Sequence, residues 1–94
     1  MLPDIKIAQI NTFLTVAHCK NFRKAATVLY RSQPAVSLAI KQLEQLLGAC
    51  LCDPERHGEL SAFGAAFLPE AKAPYQLYET TLHNGMSMAQ GQSG

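Results

Sequence analysis

Two short helical patterns separated by only Tyr30-Arg31-Ser32 constrain this chain more than any other feature of its sequence. Upstream of that link, Phe22, Ala25, Ala26 and Leu29 recur at helical spacing after Asn21, a residue suited to an N-cap. Downstream, Ser32 offers a second cap, Pro34 falls in a first turn that tolerates a missing N–H, and Val36, Ile40, Leu43 and Leu47 mark a buried stripe. Gly48 then suits the left-handed position that ends a helix. So short a link forces a steep crossing, which makes a helix-turn-helix pair with its second helix at 33–47.

A third helix is needed to close a core over this pair, and the sequence supplies it upstream. Ile7, Ile10, Phe13, Leu14 and Ala17 form an i, i+3, i+4, i+7 stripe ending near Cys19. After Gly48 the pattern changes. Cys50, Leu51 and Cys52 read as one short strand and Glu59 to Ser61 as another, with Pro54 and Gly58 in the connection, giving a wing. Ser61 caps a last helix whose apolar positions, Phe63, Ala66, Phe67, Leu77, Tyr78 and Leu82, exceed what a three-helix core can cover. Pro69 and Pro74 are expected to kink or interrupt it, and the Gly, Ser and Gln content beyond Asn84 predicts a frayed end. The expected fold is mainly α: a winged helix-turn-helix with a three-helix core and a short two-stranded wing over 1–62, a linker and dimerisation helix over 63–88, and a flexible tail over 89–94.

Charge is segregated along the 94 residues. Lys6, Lys20, Arg23, Lys24, Arg31 and Lys41 lie between Ile5 and Leu43 without one acid among them, whereas Glu44 onward holds six acids and two bases. A net charge of +1 therefore hides a basic half able to attract phosphates. On the second helix of the pair, Gln33, Ser37 and Lys41 stand opposite the buried stripe at i, i+4, i+8, with Pro34, Ala35 and Leu38 beside them. Such a face is slim, polar and basic, as entry into the major groove requires. Gln33 suits a bidentate pairing with adenine, Ser37 a base or phosphate, Lys41 a guanine or phosphate, and Ala35 a thymine methyl. Arg23, Lys24 and Arg31 flank that face where phosphate contacts would orient it. A merely solvated helix face is the competing reading of the same stripe.

The run Phe22-Arg-Lys-Ala-Ala-Thr-Val-Leu-Tyr-Arg-Ser-Gln-Pro-Ala-Val-Ser37, with Gln42-Leu43-Glu44 and Leu47-Gly48 after it, closely resembles the N-terminal signature of LysR-type transcriptional regulators across about Ile7 to Leu68. The resemblance implies a bacterial regulator that reads double-stranded DNA with Ser32, Gln33, Pro34, Ser37, Leu38 and Lys41. It also implies a homodimer formed through the last helix, with Phe63, Phe67, Leu77, Tyr78 and Leu82 at the contact. The wing departs from the pattern. Where the family has Leu-Phe-x-Arg this chain has Leu51-Cys52-Asp53-Pro54, leaving Arg56 or His57 to replace the missing arginine among Asp53, Glu55 and Glu59. The family's effector-binding domain has no counterpart in these residues, so no small-molecule site is expected here; a fragment and a naturally short regulator fit equally.

Other chemistries find little support. Cys50, Cys52 and His57 lack a fourth ligand at zinc-finger spacing, so no metal is expected, and Cys19 completes an odd set of thiols read as reduced and incidental. His18, His57 and His83 lie far apart, with no nucleophile spaced to use them and no glycine-rich phosphate loop. Neither an enzyme nor a cofactor is expected. No apolar run or leader points to a membrane, which gives a cytoplasmic, nucleoid-associated expectation. The alternative function is an interaction module that dimerises through its last helix and titrates a full-length relative without touching DNA.

Overall fold

The computed structural model describes residues 6–56 and 58–91. Four helices follow one another: α1 (Ile7–Cys19), α2 (Phe22–Val28), α3 (Gln33–Leu47) and α4 (Ala62–Gly91). The first three close one core, and each starts or stops for a local reason. Asn21 accepts a hydrogen bond from the Lys24 N–H at 2.9 Å and opens α2. Ser32 accepts from the Ala35 N–H at 3.2 Å and opens α3, while Gly48 ends it at φ 82°. Between them, the Arg31 N–H reaches back to the Ala26 carbonyl at 2.9 Å and the Tyr30 N–H to the Thr27 carbonyl at 3.2 Å. These two bonds form a Schellman stop, with Tyr30 at φ 54° where glycine is the usual occupant.

Ile10, Phe13 and Val16 from α1, Ala25 and Ala26 from α2, and Val36, Ile40 and Leu43 from α3 make the centre of the core. Leu51 plugs it from the wing and Ala71 from α4. Thr12 is buried as well, and its hydroxyl donates to the Ala8 carbonyl at 2.9 Å, so no polar atom is stranded there.

The wing is shorter than the two strands expected from its sequence. Among the described residues it amounts to a single antiparallel bridge between Cys52 and Leu60. The Asp53 N–H donates to the Glu59 carbonyl at 2.9 Å and the Ser61 N–H to the Leu51 carbonyl at 3.0 Å. Pairing stops there because the Asp53 carboxylate takes the Glu55 N–H at 2.9 Å and turns the chain, while Pro54 has no N–H to offer a ladder. At the tip, Gly58 sits at φ 90° directly against the Lys20 carbonyl, where a Cβ would collide with backbone, so the wing is braced on the corner between α1 and α2.

The last helix also differs from expectation. It is continuous from Ala62 to Gly91 through both Pro69 and Pro74, and it runs past 88, where the flexible tail was expected to begin; residues 92–94 lie outside the described residues. Both prolines are exposed, so the carbonyls of Ala65 and Glu70, which lose their helical donors, face water rather than the core. Ser61 accepts from the Gly64 N–H at 2.9 Å and caps this helix as expected. Packing against α1 uses Phe67, Leu68, Ala71 and Tyr75. Every residue from 76 to 91 is exposed. The projecting half gives the molecule its elongated extents of 56 × 33 × 19 Å.

Candidate nucleic-acid interface

The geometry of the site follows from which side of α3 the core takes. With Val36, Ala39, Ile40 and Leu43 buried, successive residues turning by about 100° place Pro34, Leu38, Lys41 and Gln45 at the outward crown. All four are exposed, Leu38 to 57%. Gln33 and Ser37 stand on one flank, and Ala35 and Gln42 on the other. The expected reading face is therefore at the surface, with two refinements: Ser37 and Ala35 are half-buried shoulders rather than tips, and Gln45 extends the crown by one turn. That extension is the next i+4 step beyond Lys41, a signal the sequence carries but the Gln33–Lys41 stripe stops short of.

Around this ridge the structure gathers the cations in two places. Arg23 lies beside Gln33 in a shallow cleft at the start of α2, next to Asn21 and Phe22, and exposed Lys24 follows it. Arg31 lies on the opposite flank, in a cleft shared with Ala35, Leu38, Gln42 and, from the start of α1, Lys6 and Gln9. Lys6 was absent from the sequence-derived set, because nothing local indicates that α1 begins beside α3. The long-range bond from the Gln9 amide nitrogen to the Gln42 amide oxygen, at 3.0 Å, fixes that placement. Among the described residues none of Lys6, Arg23, Lys24, Arg31 and Lys41 is within ion-pair distance of a carboxylate. No described acid neutralises their charges.

Arg56 behaves differently. Its guanidinium lies 3.5 Å from the Glu59 carboxylate, both side chains being largely exposed, a pairing of little energetic weight. It nevertheless places an acid beside the one cation expected to serve the wing. His57, the other expected substitute, lies outside the described residues.

Between α3 and the wing, Ser37, Lys41 and Glu44 border a cleft with Cys50, Cys52 and Asp53. Glu44 is a structural strut: its carboxylate accepts the Leu51 N–H at 2.7 Å and ties the end of α3 to the wing. Glu44→Ala leaves that donor without its partner and is expected to cost about 1–3 kcal/mol, measured as a shift in urea midpoint at constant m-value. A shift under about 0.5 kcal/mol would mean that water replaces the carboxylate freely. Burial, the Glu44 carboxylate and the Cys50 thiol together push the Cys52 thiol up to about 11, so it stays protonated at neutral pH and is a poor nucleophile. All three cysteines are free, and no cluster of three or more His, Cys, Asp or Glu side chains suited to a metal ion occurs among the described residues.

The apolar set expected for dimerisation divides. Phe67 turns inward, its ring 5.8 Å from that of buried Phe13, and Phe63 stacks on Phe67 at 5.9 Å. Leu77, Tyr78 and Leu82 lie on the exposed half of α4, joined there by Met86 and Met88. No helix among the described residues is long and apolar enough to cross a membrane.

A braced helical pair with an exposed outward ridge, cations on both flanks that no described carboxylate pairs, and a long trailing helix has the form of helix-turn-helix nucleic-acid-binding domains. The comparisons with known proteins are specific within that class. Residues 7–65 match the bacterial regulatory helix-turn-helix protein model of the lysR family. The transcriptional regulator PcaQ of Agrobacterium fabrum is 41% identical over 70 residues, covering 73% of this chain and 22% of its own length. The structure of the CbnR DNA-binding domain with DNA aligns at a TM-score of 0.78 and 32% identity, over 89% of this chain and 98% of that one. Vibrio fischeri DarR in complex with DNA aligns at 0.84 and 29% identity, over 94% of this chain and 30% of that one. The chain belongs to the LysR family of bacterial helix-turn-helix regulators, and it spans 22% to 29% of the length of the curated relatives PcaQ and CitR.

Proposed function

We propose that this chain is the DNA-reading portion of a LysR-family transcription regulator and that α3 is its recognition helix. The observation that carries the reading is the exposed crown of α3 with unpaired cations on both sides: slim side chains can approach base edges while Arg23, Lys24, Arg31 and Lys41 meet phosphates. Within that face, Gln33 is the adenine reader, Ser32, Ser37 and Pro34 line the approach, and Leu38 and Ala35 supply apolar contact to thymine methyls. Arg56 contributes less, being shared with Glu59. The DNA complexes solved for CbnR and DarR, which share this fold, support the same role.

Lysine acetylation followed by mass spectrometry, with and without a pool of duplexes, tests the reading directly. Lys24 and Lys41 are expected to lose most of their reactivity when DNA is bound, and Lys72, on α4, to keep it. Equal labelling of all three lysines in the presence of saturating duplex would contradict the proposal.

The chain acts as a homodimer through the distal half of α4. An isolated helical stretch of that length is marginal in water, and this one is exposed throughout, Leu77 to 67% and Met86 to 65%. A second α4 laid against it would cover Tyr78, Leu82 and Met86 and set two recognition helices about 34 Å apart, one DNA turn. Light scattering at high protein concentration is expected to give a dimer mass for the wild type and a monomer mass for Leu82→Glu combined with Met86→Glu. A monomeric wild type would rule the dimer out and leave the reading head intact.

A further inference from the structure

Lys6 was not part of the reading head drawn from the sequence, and its position gives it a role there. We infer that Lys6 contacts a DNA phosphate and that, together with Arg31, it forms a second backbone-gripping edge on the flank of α3 opposite Arg23 and Lys24. The inference rests on the DNA-reading role proposed above and deepens it.

Lys6 is exposed and shares one cleft with Arg31, Ala35, Leu38 and Gln42, so the beginning of α1 lies alongside the recognition helix rather than behind the core. The bond between Gln9 and Gln42 holds the two helices in that register. On the other flank, Arg23 shares its cleft with Gln33. A helix in the major groove, a channel about 12 Å wide, has a row of phosphates along each side. With Arg23 and Lys24 on one flank alone, the ridge would be anchored to a single strand; Lys6 and Arg31 supply the other.

Local stability gives no reason for a lysine at this position. Lys6 is the N-cap of α1, at φ −83° and ψ 141°, where a side-chain oxygen is preferred because it can accept an N–H from the first turn. An ammonium group cannot accept. The side-chain cap bond at this residue runs the other way, from the Lys6 backbone N–H to the Gln9 amide oxygen at 3.4 Å, while the Lys6 carbonyl accepts the Gln9 N–H at 3.0 Å. No described carboxylate neutralises the side chain. The residue thus forgoes a side-chain helix cap and holds a positive charge, paired with no described carboxylate, at the edge of the proposed reading surface.

These two properties separate under substitution. Lys6→Ser installs a good cap and removes the charge, so the melting temperature is expected to hold or rise while binding weakens. In fluorescence anisotropy with a labelled duplex, affinity near 0.1 M salt is expected to fall about 5- to 10-fold per protomer, and the log–log salt slope to become shallower by about 0.9 for each phosphate that is no longer neutralised. Lys6→Arg is expected to retain both. Wild-type binding with an unchanged affinity and slope in Lys6→Ser would overturn the inference and leave the recognition helix standing, as would a weaker affinity without a slope change. Absence of salt-dependent binding by the folded wild type would overturn the DNA-reading proposal and this inference with it.

Discussion

Phe13→Ala is expected to lower the unfolding free energy of the domain by about 3–5 kcal/mol. The ring is fully buried: it belongs to the α1 stripe, lies in the cluster with Val36, Ile40 and Leu43, and meets Phe67 of α4 at 5.8 Å. Its removal leaves a void at the junction of the helix-turn-helix with the trailing helix, and α1 is the element against which α4 packs. Small domains hold only about 5–15 kcal/mol in total, so the variant should be partly unfolded near physiological temperature. Urea denaturation followed by circular dichroism, at one fixed protein concentration so that any self-association is the same in every sample, measures the destabilisation. Val28→Ala, at an exposed position on α2, is the control and should change stability by less than about 0.5 kcal/mol. A Phe13→Ala effect below about 1 kcal/mol would mean that the core rearranges around the gap.

Lys41→Glu is expected to reduce affinity for duplex DNA by about 10- to 100-fold near 0.1 M salt. Lys41 is exposed on the outward crown of α3 and has no described carboxylate partner, so reversing its charge removes one favourable phosphate interaction and adds a repulsion. Folding should be untouched. A competition titration on one labelled duplex, with the melting temperature measured in parallel, checks both statements. An affinity within about twofold of wild type would place the DNA elsewhere on the molecule.

The helical core was legible from the chain because its signals are local and agree with one another. Asn21, Ser32 and Gly48 cap where the apolar stripes begin and end, and in each case the structure makes the bond or adopts the φ that the residue type invites. The two errors of extent have physical causes that periodicity does not carry. Alternation at Cys50 to Cys52 suggests a strand, but Asp53 and Pro54 turn the chain away after a single bridge. Pro69 and Pro74 read as kinks or interruptions, yet the helix is uninterrupted, since both are exposed and the carbonyls they orphan are open to solvent. The exposed ridge proposed to read DNA was visible as the polar side of α3. Its flanks were visible only in part, since Arg23 and Arg31 neighbour it in sequence, whereas Lys6 reaches it through packing between Gln9 and Gln42, which are 33 residues apart. Phe67 shows the opposite limit: an apolar residue counted toward a partner is largely spent on Phe13 within its own chain.

Whether the exposed face of α3 reads DNA is decided by anisotropy of a labelled duplex pool across a salt series, with wild type set against Gln33→Ala combined with Lys41→Ala. Wild-type log affinity is expected to fall linearly with log salt at about 0.9 per neutralised phosphate, and the folded double variant to show a shallower slope and less discrimination among sequences. A folded wild type that fails to bind even at low salt, or a double variant that binds as the wild type does, would contradict that role.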